Sequence, residues 1–123
     1  MKGIGIDMIE TERISRKLGK EAGFRELVFS PGEIAYCEKM AHPVEHYAAR
    51  FAAKEAFFKA LGTGWLKGTA FNEVEIVHDA LGKPMIVLLG TTATTIAGMN
   101  VHHISVSLTH LKTIAAAVVM IEE

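Results

Sequence analysis

The run VHHISVSLTHLKTIAAAVVMI, residues 101–121, decides the fold. Two stretches rich in β-branched and apolar residues, Val101–Thr109 and Thr113–Ile121, are separated only by a tight turn around His110, Leu111 and Lys112. They predict two strands joined as a hairpin. Working backwards, Thr91–Met99 predicts a short helix. Before it, Val74 and Ile76 alternate with Glu73 and Glu75, and Asp79-Ala80-Leu81-Gly82 leads into Pro84–Leu89, which predicts a second hairpin.

The first half reads differently. Gly3, Gly5 and Asp7 alternate with Ile4, Ile6 and Met8, so residues 2–9 predict a strand with one apolar face and one face free of side chains up to a carboxylate. Thr11 reads as the N-cap of a first helix ending near Gly19 or Lys20. Ser30-Pro31-Gly32-Glu33 combines a capping serine, a proline at the first helical position and a glutamate three residues after the cap, opening a second helix over about 31–41. Pro43 opens the third and longest, which runs to Leu61 and stops at Gly62-Thr63-Gly64. One strand, three helices and then mainly strands predict an α+β fold, a mainly antiparallel sheet with helices packed on one side, in a single domain over 1–123.

Composition narrows the function classes. Thirteen Lys and Arg against fourteen Asp and Glu give a net charge of −1, so no global field draws the chain to nucleic acid or to a polycation. Half the residues are hydrophobic and 22% are charged, which excludes a disordered chain. The longest apolar run, Ile114–Ile121, is far short of the roughly twenty residues of a membrane-spanning helix. The single cysteine, Cys37, can form no internal disulfide. Together with a start unlike a secretory signal, this predicts a cytoplasmic protein.

The long helix carries the chemistry. At 100° per residue, Tyr47, Phe51 and Phe58 form one apolar stripe, with Lys54 and Arg50 on one border and Glu55 and Lys59 on the other. A carboxylate beside an aromatic seam is shielded from water and needs a cation or donor. Lys59, four residues on, is one partner for Glu55; the other reading joins Glu55 to Asp7 of the first strand as a Mg²⁺ site, with water and phosphate oxygens completing the shell. Arg50, Lys54 and Lys59 would then suit a ligand with several phosphates. Gly62-Thr63-Gly64 follows a helix C-terminus, where the dipole is negative, so its main role is to end the helix.

These residues carry a resemblance. Gly3-Ile4-Gly5-Ile6-Asp7 with Glu10 and Arg13-Ile14, then Arg50-Phe51-Ala52-Ala53-Lys54-Glu55-Ala56 with Lys59-Ala60 and Gly62-Thr63-Gly64, then Gly82-Lys83-Pro84, then Ser105-Val106-Ser107-Leu108-Thr109-His110 resemble, in order, the holo-acyl-carrier-protein synthases of the phosphopantetheinyl transferase family. The resemblance implies Mg²⁺-dependent transfer of 4′-phosphopantetheine from coenzyme A to a serine of acyl carrier protein, releasing adenosine 3′,5′-bisphosphate. It implies Asp7 and Glu55 as catalytic metal ligands. Arg50, Lys54, Lys59, Gly62 and Gly64 would bind the adenosine phosphates, with Lys83 and Pro84 near the adenine and His110 near the 3′-phosphate. The serine's proton could pass to Glu55, to a metal-bound water or to another acid. The resemblance also implies a homotrimer with sites between subunits; the half-polar strand His103, Ser105, Ser107, Thr109 fits an interface or a solvent-facing edge equally.

Arg13, Arg16, Lys17 and Lys20 share one face of the first helix, opposite Ile14 and Leu18. In the family such bases dock the acidic carrier protein, a complementarity that speeds association and weakens with salt. The patch is small and lacks interleaved aromatics, so nucleic acid is not the expected partner. His42 and His46 have no third ligand near in sequence and predict no zinc site. Two other readings use the same residues: a metal-dependent nucleotide phosphohydrolase, with water as nucleophile, and a small oligomeric module whose basic helix binds an acidic protein.

Overall fold

In the computed structural model, which describes residues 2–123, β1 (Gly3–Glu10) leads without a break into α1 (Thr11–Lys20). Then follow α2 (Phe24–Val28), α3 (Pro31–Glu38) and the long α4 (Pro43–Leu61). A 3₁₀ turn at Phe71–Glu73 precedes β2 (Val74–His78) and β3 (Pro84–Leu88), and α5 (Gly90–Ala97) precedes β4 (His103–His110) and β5 (Ile114–Glu122).

The expected α+β arrangement is present, with a subdivision. β1, β5 and β4 form one antiparallel sheet in that order, and β2–β3 stands beside it as a separate two-stranded sheet. In the three-stranded sheet Asp7 pairs with Ala117, and Leu108 lies on the other side of the same residue. α4 lies across β1 and β5. Its small residues Ala48, Ala49, Ala52, Ala53, Ala56 and Ala60 are buried there, while Phe57, Phe58 and Tyr47 fill the remaining core. Fully burying each large apolar side chain contributes about 1.5–3 kcal/mol, so the aromatic side chains of α4 carry a substantial share of the core's stability.

Local signals account for most boundaries. Ser30 and Glu33 make a reciprocal capping box, and Gly62 ends α4 in the left-handed region at φ 82°. Three details differ from expectation. Thr11 is the first helical residue rather than the cap, and its hydroxyl donates to the Lys112 carbonyl at 2.7 Å, tying α1 to the β4–β5 turn. α3 ends at Glu38, and the five-residue α2, which has no buried residue and little periodicity to read, was not expected. Cys37 is fully buried, and burial pushes its thiol up to about 12, leaving it chemically inert.

The face of β1 that meets the core is the glycine face. Ile4, Ile6 and Met8 point outward at 61%, 67% and 67% exposure, opposite Met120, Val118 and Ala116 of β5. An apolar stripe therefore covers the outer side of the sheet.

Candidate active site

Two reactive clusters flank α4. The first forms where β1 passes the helix at close range. A Cβ on Gly3 would collide with the Ala60 carbonyl oxygen, and one on Gly5 with the Ala56 carbonyl and the Ala60 amide. Only glycine permits this approach. The next residue on the same strand face is Asp7, and Lys59 of α4 reaches it: Lys59 Nζ donates to Asp7 Oδ1 at 2.9 Å and to the Ile6 carbonyl at 3.1 Å.

Glu55, one turn earlier on α4, completes the cluster. Burial pushes its carboxyl above the usual carboxylate range, the charge of Asp7 pushes the same way, and Lys59 and Arg13 offset only part of this. The hydrogen bond from Lys59 to Asp7, with the charge of Asp7 behind it, raises the Lys59 ammonium in turn. Two neighbouring acids, one of them partly desolvated and held above its usual range beside the other's charge, form a donor set suited to a hard divalent cation. Among the described residues no group of three or more His, Cys, Asp or Glu converges. A cation here would take two protein carboxylates and complete its shell with water or substrate oxygens, a habit of Mg²⁺.

The second cluster surrounds Arg50, which lies about 140° around the helix from Glu55. Arg50 is 2% exposed, its guanidinium stacks 4.1 Å over the ring of Tyr36, and its Nε has no partner. It makes no ion pair among the described residues. It lines a cavity of about 260 Å³ together with Tyr36, His46, His78, Pro84 and His110. Three of the predicted ligand residues, Arg50, Pro84 and His110, thus meet in one place. Lys83 lies beside them on the β2–β3 turn, its amide donating to Asp79 Oδ1 at 2.9 Å.

Lys54 is a correction. Its side chain is fully buried, and its ammonium donates to Glu33 Oε1 at 2.7 Å, the Phe71 carbonyl at 2.8 Å and the Val74 carbonyl at 2.6 Å. All three protons are spent inside the core, so Lys54 is no cation for an external phosphate. Glu33 also caps α3 and accepts from the Ile76 amide at 3.0 Å, so the pair fastens α3, α4 and β2 together. Sequence periodicity set Lys54 on the border of the apolar stripe; the hairpin beyond closes over it.

Gly62 and Gly64 both take positive φ in the loop after α4, consistent with ending the helix. Arg13, Arg16 and Lys20 are exposed, whereas Lys17 is partly engaged by Glu21 at 3.3 Å and by the face of Phe24. Tyr36, His46 and His78 were not foreseen in the cavity. They come from α3, α4 and β2, and no local motif links them.

The model of the 4′-phosphopantetheinyl transferase superfamily matches residues 3–119. The holo-[acyl-carrier-protein] synthase of Syntrophus aciditrophicus (strain SB) is 42% identical over 121 residues, covering 98% of this chain and 94% of that protein. The crystal structure of the holo-[acyl-carrier-protein] synthase from Neisseria meningitidis superposes with a TM-score of 0.91 at 32% identity, covering 100% of this chain and 99% of that one. The Helicobacter pylori holo-[acyl-carrier-protein] synthase in complex with coenzyme A gives 0.84 at 31% identity, covering 97% and 99%. This chain belongs to the 4′-phosphopantetheinyl transferase superfamily, in its holo-[acyl-carrier-protein] synthase branch.

Proposed function

We propose that this chain transfers 4′-phosphopantetheine from coenzyme A to a serine of apo acyl carrier protein, with Mg²⁺, as one catalytic domain within a cytoplasmic homotrimer. The observation that carries this reading is the meeting of Asp7, Glu55 and Lys59, two acids and a cation set at the edge of the core by the glycine contact. Asp7 and Glu55 would hold Mg²⁺, which when bound supplies neutralisation of charge on the pyrophosphate. Lys59 orients Asp7 and adds a positive charge beside the leaving phosphate. Arg50 and His110 receive the adenosine phosphates, and Pro84 offers an apolar surface to the adenine. The basic face of α1, chiefly Arg13, Arg16 and Lys20, docks the acidic carrier and brings its serine to the carboxylates.

Two features support sites shared between copies. Arg50 and Glu55 face different sides of α4, so one coenzyme A molecule engaging both ends would span two chains. The exposed stripe of Ile4, Ile6 and Met8 beside Val118 and Met120 is an apolar surface that a second copy would cover. No helix among the described residues is long and apolar enough to cross a membrane.

The test is incubation with apo carrier protein, coenzyme A and Mg²⁺, read by mass spectrometry. A phosphopantetheine adduct on the carrier serine, lost on chelation, supports transfer. Free phosphopantetheine with an unmodified carrier would instead indicate a phosphohydrolase. Carrier binding that survives chelation and ignores coenzyme A, with no adduct, would indicate a binding module. Sedimentation equilibrium tests the trimer.

A further inference from the structure

We propose that His46 and His78 extend the Arg50 cavity into a proton-coupled seat for a phosphate monoester, each taking up a proton from solvent as the dianion enters. The inference rests on the reading that this cavity receives the adenosine-phosphate end of coenzyme A, and concerns residues which that reading leaves unused.

A guanidinium that is 2% exposed and has no acid partner is a costly arrangement unless an anion completes it. The surrounding groups are built for that purpose. Tyr36 is a shared platform: Arg50 lies 4.1 Å over its ring, and the His78 ring stacks on it at 5.1 Å. His46 packs edge-on against His110, with ring centroids 5.2 Å apart. Two nitrogens in this group, Arg50 Nε and His78 Nδ1, are buried without a hydrogen-bond partner. A buried guanidinium N–H without an acceptor, beside an imidazole nitrogen that becomes a donor on protonation, calls for a ligand with several acceptor oxygens.

The nearby acids are already committed. Glu45 is in hydrogen-bond contact with His110 Nδ1 at 3.1 Å, and Asp79 accepts from the Leu81 and Lys83 amides at 2.8 and 2.9 Å. The groups facing His46 and His78 are therefore Arg50, His110, Glu45 and Asp79, with Tyr36 between. With the cavity free of anion, burial leads in holding both imidazoles below their usual range, His110 and then Arg50 adding to it at His46 and Arg50 at His78. Both rings are then neutral near pH 7. A dianion between them reverses the sign of the local field, and each ring gains a proton and an additional N–H donor. Only a monoester supplies the second negative charge, its second pKa being about 6. The single monoester of coenzyme A is the 3′-phosphate.

The experiment is calorimetric titration of the full-length protein with coenzyme A and with 3′-dephospho-coenzyme A, in pairs of buffers of different ionisation enthalpy between about pH 6.5 and 8. The dephospho compound keeps the pyrophosphate, so protonation at the carboxylate cluster cancels in the comparison. The expected result is net proton uptake with coenzyme A alone, its Kd rising with pH by up to about tenfold per unit for each proton taken up. His46→Gln and His78→Gln each reduce that uptake and flatten the pH dependence of Kd, weakening binding most at the acid end and progressively less toward pH 8. Unchanged uptake in both variants, or equal weakening at every pH, overturns the proposal. Equal affinity and uptake for the two ligands would overturn the placement of the phosphate itself. A clear preference for coenzyme A without proton uptake would overturn only the role of the histidines.

Discussion

Lys59 Nζ lies 2.9 Å from Asp7 Oδ1, joining the last turns of α4 to the middle of β1. The lysine is about half exposed and the aspartate far less so, so the contact steers the carboxylate more than it stabilises the fold. Asp7→Asn and Glu55→Gln are each expected to lower the transfer rate at least about a hundredfold, as loss of a charge at a phosphoryl-transfer site does, with circular dichroism and melting temperature nearly unchanged. Near-normal turnover in either variant would remove the carboxylate pair from the mechanism.

The Glu55 carboxyl titrates above its ordinary value of 4.5. Between the ordinary and raised values the folded protein binds more protons than the unfolded chain, so this group's contribution to stability falls as pH rises through that window. A divalent cation needs the ionised form. Apparent Mg²⁺ affinity is therefore weakest below the raised value and grows with pH through it. Asp7→Asn removes a charge that raises Glu55, so the Glu55 midpoint, followed by NMR without metal, moves to lower pH. A midpoint that stays put would sever the link between the two acids.

Removing the Lys54 ammonium leaves Glu33 charged in the core. Lys54→Met is expected to cost about 3–5 kcal/mol in urea unfolding. The KM for coenzyme A, measured where the variant is still folded, should stay near wild type, because Lys54 faces inward. A large KM effect with little loss of stability would return Lys54 to the ligand site.

Gly5→Ala thrusts a methyl group into the backbone of α4. Overpacking of this kind costs about 1–3 kcal/mol, and the displacement is transmitted to Asp7 two residues on, so activity falls along with stability. Gly19→Ala, where an added Cβ meets nothing within 4 Å, serves as the control and is expected to stabilise α1 by about 0.5–1 kcal/mol. Thermal melts with parallel rate measurements distinguish the two.

Arg13 is exposed on α1, yet its charge reaches Glu55. Arg13→Glu is expected to raise the KM for carrier protein about tenfold or more while changing that for coenzyme A less than about twofold, with the difference shrinking at high salt. Equal changes in both constants would show that Arg13 acts through Glu55 rather than through docking.

Much of this was legible locally. The Ser30–Glu33 box, the Gly62 stop and the alternation of β1 and β2 are written in spacings of two to four residues, because caps and side-chain periods are set by neighbours in the chain. Asp7 and Glu55 could be singled out as carboxylates on otherwise apolar or empty faces. What the sequence could not say is which surfaces close over which. Periodicity treats Lys54 and Arg50 alike as border cations, but the β2–β3 hairpin and α3 enclose both, giving Lys54 an acid and Arg50 none. The apolar side of β1 faces out because two glycines let α4 approach the other side more closely than isoleucine would. Tyr36, His46 and His78 meet around Arg50 from three elements, and such long-range company depends on the packing of the whole chain rather than on any segment's own preference.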